Sequence, residues 1–457
     1  MNLCLNQKRP GIDEKRIPLH FSLLLLLLLL VPVCGKGQGE EITLRQAIEL
    51  GLVQNRRAQI AALEVERAEK GATAGAAGIL PEVDLYGGVT GSLNNTRQEF
   101  ATGEIAERNG AVSSGYSFGI DANWTVFDGF ASWRRLDLLH EEEELSRAAE
   151  RDEREQIVTE IATTYLEIVL LQDLVRTAEE AILLSTARRD LARDRVEVGA
   201  SIRFELTQAQ VDLNADSGTL LRLELDVEAT KVRLNRLLNR PPSALFTVTD
   251  SVESLLPLPP HDELRERVVR SNMEVQQALL RVEQEKMREK LVRSELYPLL
   301  SLNLGYDFVG SSADAGLLLS NRTSGLNYSL NARWNIFNGF ATKGRLEQAE
   351  LSIRQSELQY EERVAVAEAD FEILYREWER ESELVEYERR SIASARENLQ
   401  LAADRLELGA VTSFEVRQAQ TRFIEAGSRR VQAEYRLKLL ELRILRLSGD
   451  ILRLAGE

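Results

Sequence analysis

Long tracts of this 457-residue chain lack both of the residues that punctuate ordinary folds. None of its ten prolines falls between Glu82 and Arg240 or beyond Pro298, and glycine is missing from Phe130 to Val198 and from Arg345 to Leu408. A compact α/β enzyme needs tight turns throughout, so these gaps argue against one and for very long helices. Cysteine is confined to Cys4 and Cys34, which excludes a disulfide framework or a cysteine metal site from the body of the chain. The three histidines (His20, His140 and His261) are far apart, and with three methionines a soft-metal site has no material either. Basic residues number 57 against 73 acidic ones, a net charge of −16 with no basic stripe for nucleic acid. No nucleophile–histidine pair, phosphate loop or supported carboxylate pair is present, so neither an enzyme nor a bound cofactor is expected.

What is present begins with a leader. Lys8, Arg9, Lys15 and Arg16 precede the apolar run Leu23 to Val31, too short to span a membrane but suited to a secretory signal covering residues 1–33. Val31-Pro32-Val33-Cys34 then resembles the lipobox of bacterial lipoproteins, in which the cysteine is acylated. Cleavage after Gly35 is the alternative, and either route exports the chain.

The body repeats itself. Arg195 to Gln210 aligns without gaps on Arg405 to Gln420, with nine of sixteen positions identical at a spacing of 210. The same spacing carries Trp124-Thr-Val-Phe-Asp-Gly-Phe130 onto Trp334-Asn-Ile-Phe-Asn-Gly-Phe340. Upstream the spacing is 217, matching Asn55–Pro81 to Asn272–Pro298, and a seven-residue difference between Pro81 and Trp124 accounts for the change. The expected organisation is a first repeat over 34–240, a Pro-rich connector over 241–261, a second repeat over 262–450 and a tail over 451–457. Each repeat opens with a helical stretch (43–78; 262–296) and continues with a strand pair (82–127; 299–337). A long helical hairpin then turns at Gly199 or Gly409 (130–240; 340–447). At about 1.5 Å per residue the glycine-free run would be about 100 Å long, so these helices must pack side by side as a coiled-coil tube or rod.

The strands alternate. Tyr116, Phe118, Ile120, Ala122, Trp124 and Val126 are interleaved with polar residues or glycine, and Tyr328, Leu330, Ala332, Trp334 and Ile336 repeat the pattern. Val83, Leu85 and Val89 open the first pair, and Leu300, Leu302, Leu304, Tyr306 and Phe308 the second. A soluble, half-buried strand also alternates. Four segments of about ten residues in an exported chain favour membrane strands, with lipid on one face and water on the other. Trp124, Phe127, Phe130, Trp334, Phe337 and Phe340 would then form an aromatic girdle, core packing being the competing reading. Four strands cannot close a barrel, and an open edge is not tolerated in hydrocarbon, so copies of the chain must share one. Asn95 to Ser113 and Gly310 to Asn327 are expected as polar outer loops.

In this order and duplication, the Leu80-Pro81 and Tyr297-Pro298 strand starts, the Phe-Asp/Asn-Gly-Phe strand ends and the Gly-Ala helix tips resemble the TolC-type outer membrane efflux proteins. The resemblance covers about residues 41–450. It implies an α+β membrane protein: a homotrimer in which four transmembrane strands per chain build a twelve-stranded barrel in the bacterial outer membrane, continued by an α-helical coiled-coil tunnel through the periplasm. It also implies docking to a periplasmic adaptor (a membrane fusion protein) and, through it, to an inner-membrane transporter, for passive exit of a substrate. Adaptor contact would fall on Val198-Gly199-Ala200 and Leu408-Gly409-Ala410, although the third position departs from the family's Val-Gly-Leu-like motif. Glu415 occupies a position where family members carry an acidic constriction; Gln418 stands where aspartate is frequent. The bland readings are a glycine that merely permits a turn and a solvated Glu415. The rival to a channel is a periplasmic coiled-coil adaptor or scaffold, which would need neither the duplication nor amphipathic strands.

Overall fold

A computed structural model of the chain describes residues 40–249, 258–315 and 318–456. The leader, Cys34 and residues 250–257 of the connector lie outside them. A small two-stranded sheet pairs β1 (Glu40–Ile42) with β4 (Phe246–Val248). The main unit, Ile42–Ala244 with Val248–Glu457, holds the two repeats.

In the first repeat, helices α1 (Leu44–Gln54) and α2 (Arg56–Gly71) lead to strands β2 (Glu82–Glu99) and β3 (Ile105–Phe127). Helix α3 (Ala131–Glu197) and its return helix α4 (Arg203–Leu237) complete it. The second repeat has the same order: α5 (His261–Ser271), α6 (Met273–Arg293), β5 (Leu299–Ala313), β6 (Ser320–Arg333), α7 (Ala341–Glu407) and α8 (Ser413–Leu447). Helices α3 and α7 have 67 residues each, and α4 and α8 have 35 each. At 1.5 Å per residue the longer pair extend about 100 Å, as the missing glycines foretold. Among the described residues no helix is both long and apolar enough to cross a membrane.

The opening stretches 43–78 and 262–296 are each two helices rather than one. Asn55 and Asn272 interrupt them with extended backbone (ψ 129° and 126°) and cap the second helix, their Oδ1 accepting the amides of Arg57 (2.8 Å) and Glu274 (3.0 Å). Their Nδ2 atoms donate to the carbonyls of Leu237 (2.9 Å) and Leu447 (3.2 Å). Each asparagine thereby caps one helix and ties it to the last turn of its own repeat's return helix.

The outer loops are corrected too. The strands run 18, 23, 15 and 14 residues, longer than the expected ten, and absorb most of Asn95–Ser113 and Gly310–Asn327. Between β2 and β3 residues 100–104 stand outside the strands, and between β5 and β6 the described residues 314, 315, 318 and 319 do. Polar residues do not oppose a strand where backbone pairing continues and side chains bond across it: the Ser92 and Ser113 hydroxyls meet at 2.7 Å, and Asn95 accepts the Gly110 amide at 2.8 Å. The ladder starts are equivalent, Glu82 opposite Asn123 and Leu299 opposite Arg333. The seven extra residues of the first repeat therefore lie within the β2–β3 hairpin.

Helix α3 is the centre of the helical part, packed against both opening helices, α4, α6 and α8. Ile157, Val158, Ile161, Ala162, Tyr165, Leu166, Ile168 and Val169 are buried as adjacent pairs at helical spacing, which buries two sides of one helix. Helix α7, its duplicate, packs against α5, α6 and α8, and its Phe371 joins Leu264, Val268, Val275 and Ile444 in a core cluster. Its Leu351, Ile373 and Tyr387 remain exposed, as do Leu221 and Leu225 on α4.

Candidate functional site

The four longer strands form one antiparallel sheet in the order β2–β3–β5–β6, so β2 and β6 are unpaired on their outer sides. Register puts like on like: Leu85 faces Ile120, Phe118 faces Phe308, and Leu304 faces Tyr328. Phe118 and Phe308 stack with centroids 4.7 Å apart. Leu85, Val89 and Tyr328 on this face are at least 78% exposed, a degree of apolar exposure that water does not favour over a whole sheet. The opposite face is polar. Asp121 and Asp307 each lie over a glycine of the neighbouring strand; a Cβ on Gly305 would come within 2.5 Å of Asp121 Oδ1, and one on Gly119 within 2.6 Å of Asp307 Oδ1. Tyr86 donates its hydroxyl to Asp307 at 2.5 Å, and Asn327 donates to the same carboxylate.

The strand-to-helix junctions hold the six aromatics of the expected girdle. The indole N–H of Trp124 donates to the Ile79 carbonyl (2.9 Å) and that of Trp334 to the Leu296 carbonyl (3.0 Å), each just before the strand-opening proline. Phe130 and Phe340 cap the long helices in the left-handed region (φ 69° and 66°) and meet Phe127 and Phe337 edge-on at 5.3 and 5.4 Å. Asp128 accepts the Ser132 amide at 2.8 Å, so the first helix start is capped by side chain as well. Trp124, Phe130, Trp334, Phe337 and Phe340 are exposed and Phe127 is half-buried, as befits rings that meet something outside the chain.

At the far end the hairpins turn. Gly199 and Gly409 have φ 75° and 71°, and nothing stands within 4 Å of either Cβ position, so the backbone conformation alone demands glycine. Ala200 N donates to Arg195 O at 2.7 Å, and Ala410 N to Arg405 O at 2.9 Å, closing the last turn of each long helix. Val198 and Leu408 are exposed beside them. Glu415 stands in a capping box: its carboxylate accepts the Thr412 amide (2.7 Å) and hydroxyl (2.9 Å), while Thr412 Oγ1 accepts the Glu415 amide (3.3 Å). The Thr412 amide and hydroxyl hold that carboxyl below its ordinary range, so it stays charged. Gln418 is exposed on the same helix.

Sequence reading missed two features here. Ile202, Phe204 and Phe414 are also exposed large apolar residues at the tips, and the Phe-Glu repeat at a spacing of 210 was their signal. The second is a charged cluster a few turns above. Arg417 on α8 clasps Asp216 of α4 with both terminal nitrogens (2.7 and 3.1 Å) and has its Nε 3.6 Å from Asp212. Arg188 of α3 donates to Asp212 at 2.5 Å. Gln420 of α8 donates to Ser185 Oγ (2.7 Å) and to the Ala181 carbonyl (3.0 Å), and Ser185 donates to Asp216. All four charged side chains are no more than 24% exposed. The Asp216 hydrogen bonds push the Arg417 guanidinium pKa up; burial pulls that of Arg188 down. No sequence pattern announces a cluster drawn from three helices. Among the described residues no group of three or more His, Cys, Asp or Glu could hold a metal ion.

The family model for outer membrane efflux proteins matches residues 47–240 and again 264–450. An uncharacterised protein of Haemophilus influenzae is 20% identical over 72% of this chain and 69% of its own length. The pyoverdine export outer membrane protein OpmQ of Pseudomonas putida is 28% identical, over 46% of this chain and 45% of its own. The match thus spans less than half of that export protein. In fold, the outer membrane protein VceC of Vibrio cholerae superposes with a TM-score of 0.71 at 18% identity, covering 89% of this chain and 96% of that one. A twice-matched family model, a sheet with an exposed apolar face and paired long helical hairpins lead to one assignment: the chain belongs to the outer membrane efflux protein family, and it is an outer membrane channel, not an enzyme.

Proposed function

We propose that three copies close a twelve-stranded barrel and a helical tunnel, that the hairpin tips dock a periplasmic adaptor, and that substrate handed on by an inner-membrane transporter leaves passively down its gradient. The observation that carries this is the pair of open edges, β2 and β6, on a sheet whose apolar face is exposed. The duplication supplies a second argument. Within a chain α3 packs on α8. The equivalent pairing puts α7 of one copy on α4 of the next, which would cover the exposed Ile373 and Tyr387 of α7 and Leu221 and Leu225 of α4. Native mass spectrometry in detergent should give three chains per particle; a monomer or dimer that still conducts ions would refute the ring.

In that ring Trp124, Phe127, Phe130, Trp334, Phe337 and Phe340 would sit at the membrane boundary. Val198-Gly199-Ala200 and Leu408-Gly409-Ala410 would meet the adaptor, with Phe204 and Phe414 enlarging the apolar contact. Glu415 would set a negative constriction, with the neutral Gln418 adding polarity but no charge. Glu415→Gln tests this cleanly, because glutamine at the third helical position keeps the capping box while removing the charge. Cation-over-anion selectivity in a planar bilayer should fall; unchanged selectivity would remove Glu415 from the constriction.

A further inference from the structure

The leader admits two routes, acylation of Cys34 or cleavage after Gly35, and helix α3 supplies a ruler that decides between them. Tyr165 is fully buried on α3 and donates its hydroxyl to the Ile42 carbonyl at 2.9 Å. Ile42 is itself 4% exposed, and Leu44, Ala47 and Ile48 bury the face of α1 that follows. Gly51 lets α1 lie close against α3, since a Cβ there would come within 2.1 Å of Ile161 Cδ1. A capping box fixes the start of α1: Thr43 Oγ1 accepts the Gln46 amide at 3.3 Å, and the Gln46 side chain accepts the Thr43 amide at 3.0 Å. The chain therefore enters the helical part beside Tyr165. Helix α3 is unbroken from Ala131 to Glu197, and Phe130 at the strand-to-helix junction precedes Tyr165 by 35 residues, about 50 Å of helix. The path back to the strands agrees. Arg57 of α2 pairs with Glu160 at 2.8 Å and Arg135 donates to the Ala77 carbonyl at 2.9 Å, two contacts 25 residues apart on α3, or about 40 Å.

Cys34 stands eight residues before Ile42, and a fully extended chain covers at most about 28 Å in that length. The argument from reach rests on the reading that the aromatic junctions mark the membrane boundary. Drawn straight toward that boundary, the segment would still leave the Cys34 sulfur about 20 Å short of the bilayer. The tyrosine ring leans toward the start of α3, which recovers only part of the gap. Acyl chains on that sulfur would stand in water unless Ile42 and Leu44 left their buried places, and a lipid anchor holds only when its chains are buried in hydrocarbon. Gly35, by contrast, supplies the small residue that ordinary signal cleavage takes before the broken bond. We infer that the leader is removed after Gly35, that the mature chain begins at Lys36 without an acyl anchor, and that the strands alone hold the channel in the membrane.

The intact mass of the chain, expressed at full length and purified from outer membranes in detergent, tests this. The expected mass is that of an unmodified chain beginning at Lys36. Cys34→Ser should leave both that mass and, within twofold, the amount of channel in the membrane unchanged. A parent chain that begins at an acylated Cys34 would overturn the inference. A bimane label on Phe337→Cys then separates the two ways of failing, because leader removal takes Cys4 away and acylation would block Cys34, so the new thiol is the one that reacts. The label is read in nanodiscs holding a nitroxide-bearing phospholipid. With Cys34 acylated, strong quenching at position 337 keeps the boundary at the aromatics, and the inference alone fails. Absence of quenching there moves the boundary, and the girdle reading fails with it. An unmodified chain beginning at Lys36, with position 337 quenched, supports both.

Discussion

Glu155 offers a quantitative test of the packing around α3. Its side chain is 1% exposed, its Oε1 lies 3.3 Å from Arg151 Nε, and that arginine is itself half in water. Burial outweighs the attraction of Arg151 and lifts the carboxyl from an ordinary 4.5 to about 7. The unfolded chain releases this proton near pH 4.5, whereas the folded chain holds it until about pH 7. Between those values the folded state binds more protons, so stability falls as pH rises through the window and is level above it. Moving a carboxyl that far corresponds to about 3 kcal/mol. Glu155→Gln keeps the shape of the protonated acid and abolishes the slope. At pH 8 the variant should be more stable than the parent by an amount of that order, and near pH 5 almost equal to it. Spread over about 400 ordered residues at about 2 cal/mol/K each, the gain is about 3–4 °C in Tm. Thermal melts followed by circular dichroism in detergent at both pH values measure it. An equal Tm difference at pH 5 and pH 8 would show that Glu155 is ionised in the folded chain at both, and the reasoning from burial would be wrong.

Asn55→Ala and Asn272→Ala each remove a cap and a tie to the other end of the repeat, so each should cost about 1–2 kcal/mol of stability in the same melts. An unchanged Tm for both would show that the helix breaks hold without them. Gly119→Ala drives a methyl into Asp307 Oδ1 and the Tyr306 carbonyl, at 2.6 and 2.8 Å, whereas the nearest atom to a methyl at Gly88 is 3.7 Å away. Gly119→Ala should therefore weaken the sheet, seen as lost heat-modifiable migration on SDS gels, while Gly88→Ala should not. If Cys34 is the acylated residue, metabolic labelling with radioactive palmitate marks the parent and not Cys34→Ser; equal labelling of the two refutes it.

The duplication made much of this fold legible. Identity at a spacing of 210 located both hairpins before any coordinates, and the hairpin helices agree in length between repeats. Strand length is not legible in polarity alone. In β2 and β3 polar residues beyond Ser92 remain paired, their side chains bonding to one another in place of lipid or core. Asn55 and Asn272 were visible as matched positions, but an asparagine inside a helical pattern does not reveal that its amide will find a carbonyl 182 or 175 residues away.

The charged cluster was illegible for a different reason. Sequence repeats advertise what two copies share, whereas Arg417, Asp212 and Asp216 matter because their counterparts Thr207, Arg422 and Ala426 differ. A chain built from two like units in a closed ring would have two kinds of seam that geometry alone makes nearly equivalent. At these buried positions the contact within one chain carries ion pairs, and breaking such a pair costs roughly 3–5 kcal/mol. Where the repeats agree, at the glycine turns, the aromatic junctions and the strand registers, they describe how the channel is built. Where they disagree, above the tips, the difference is what ties α8 to α3 and α4 by charge within one chain.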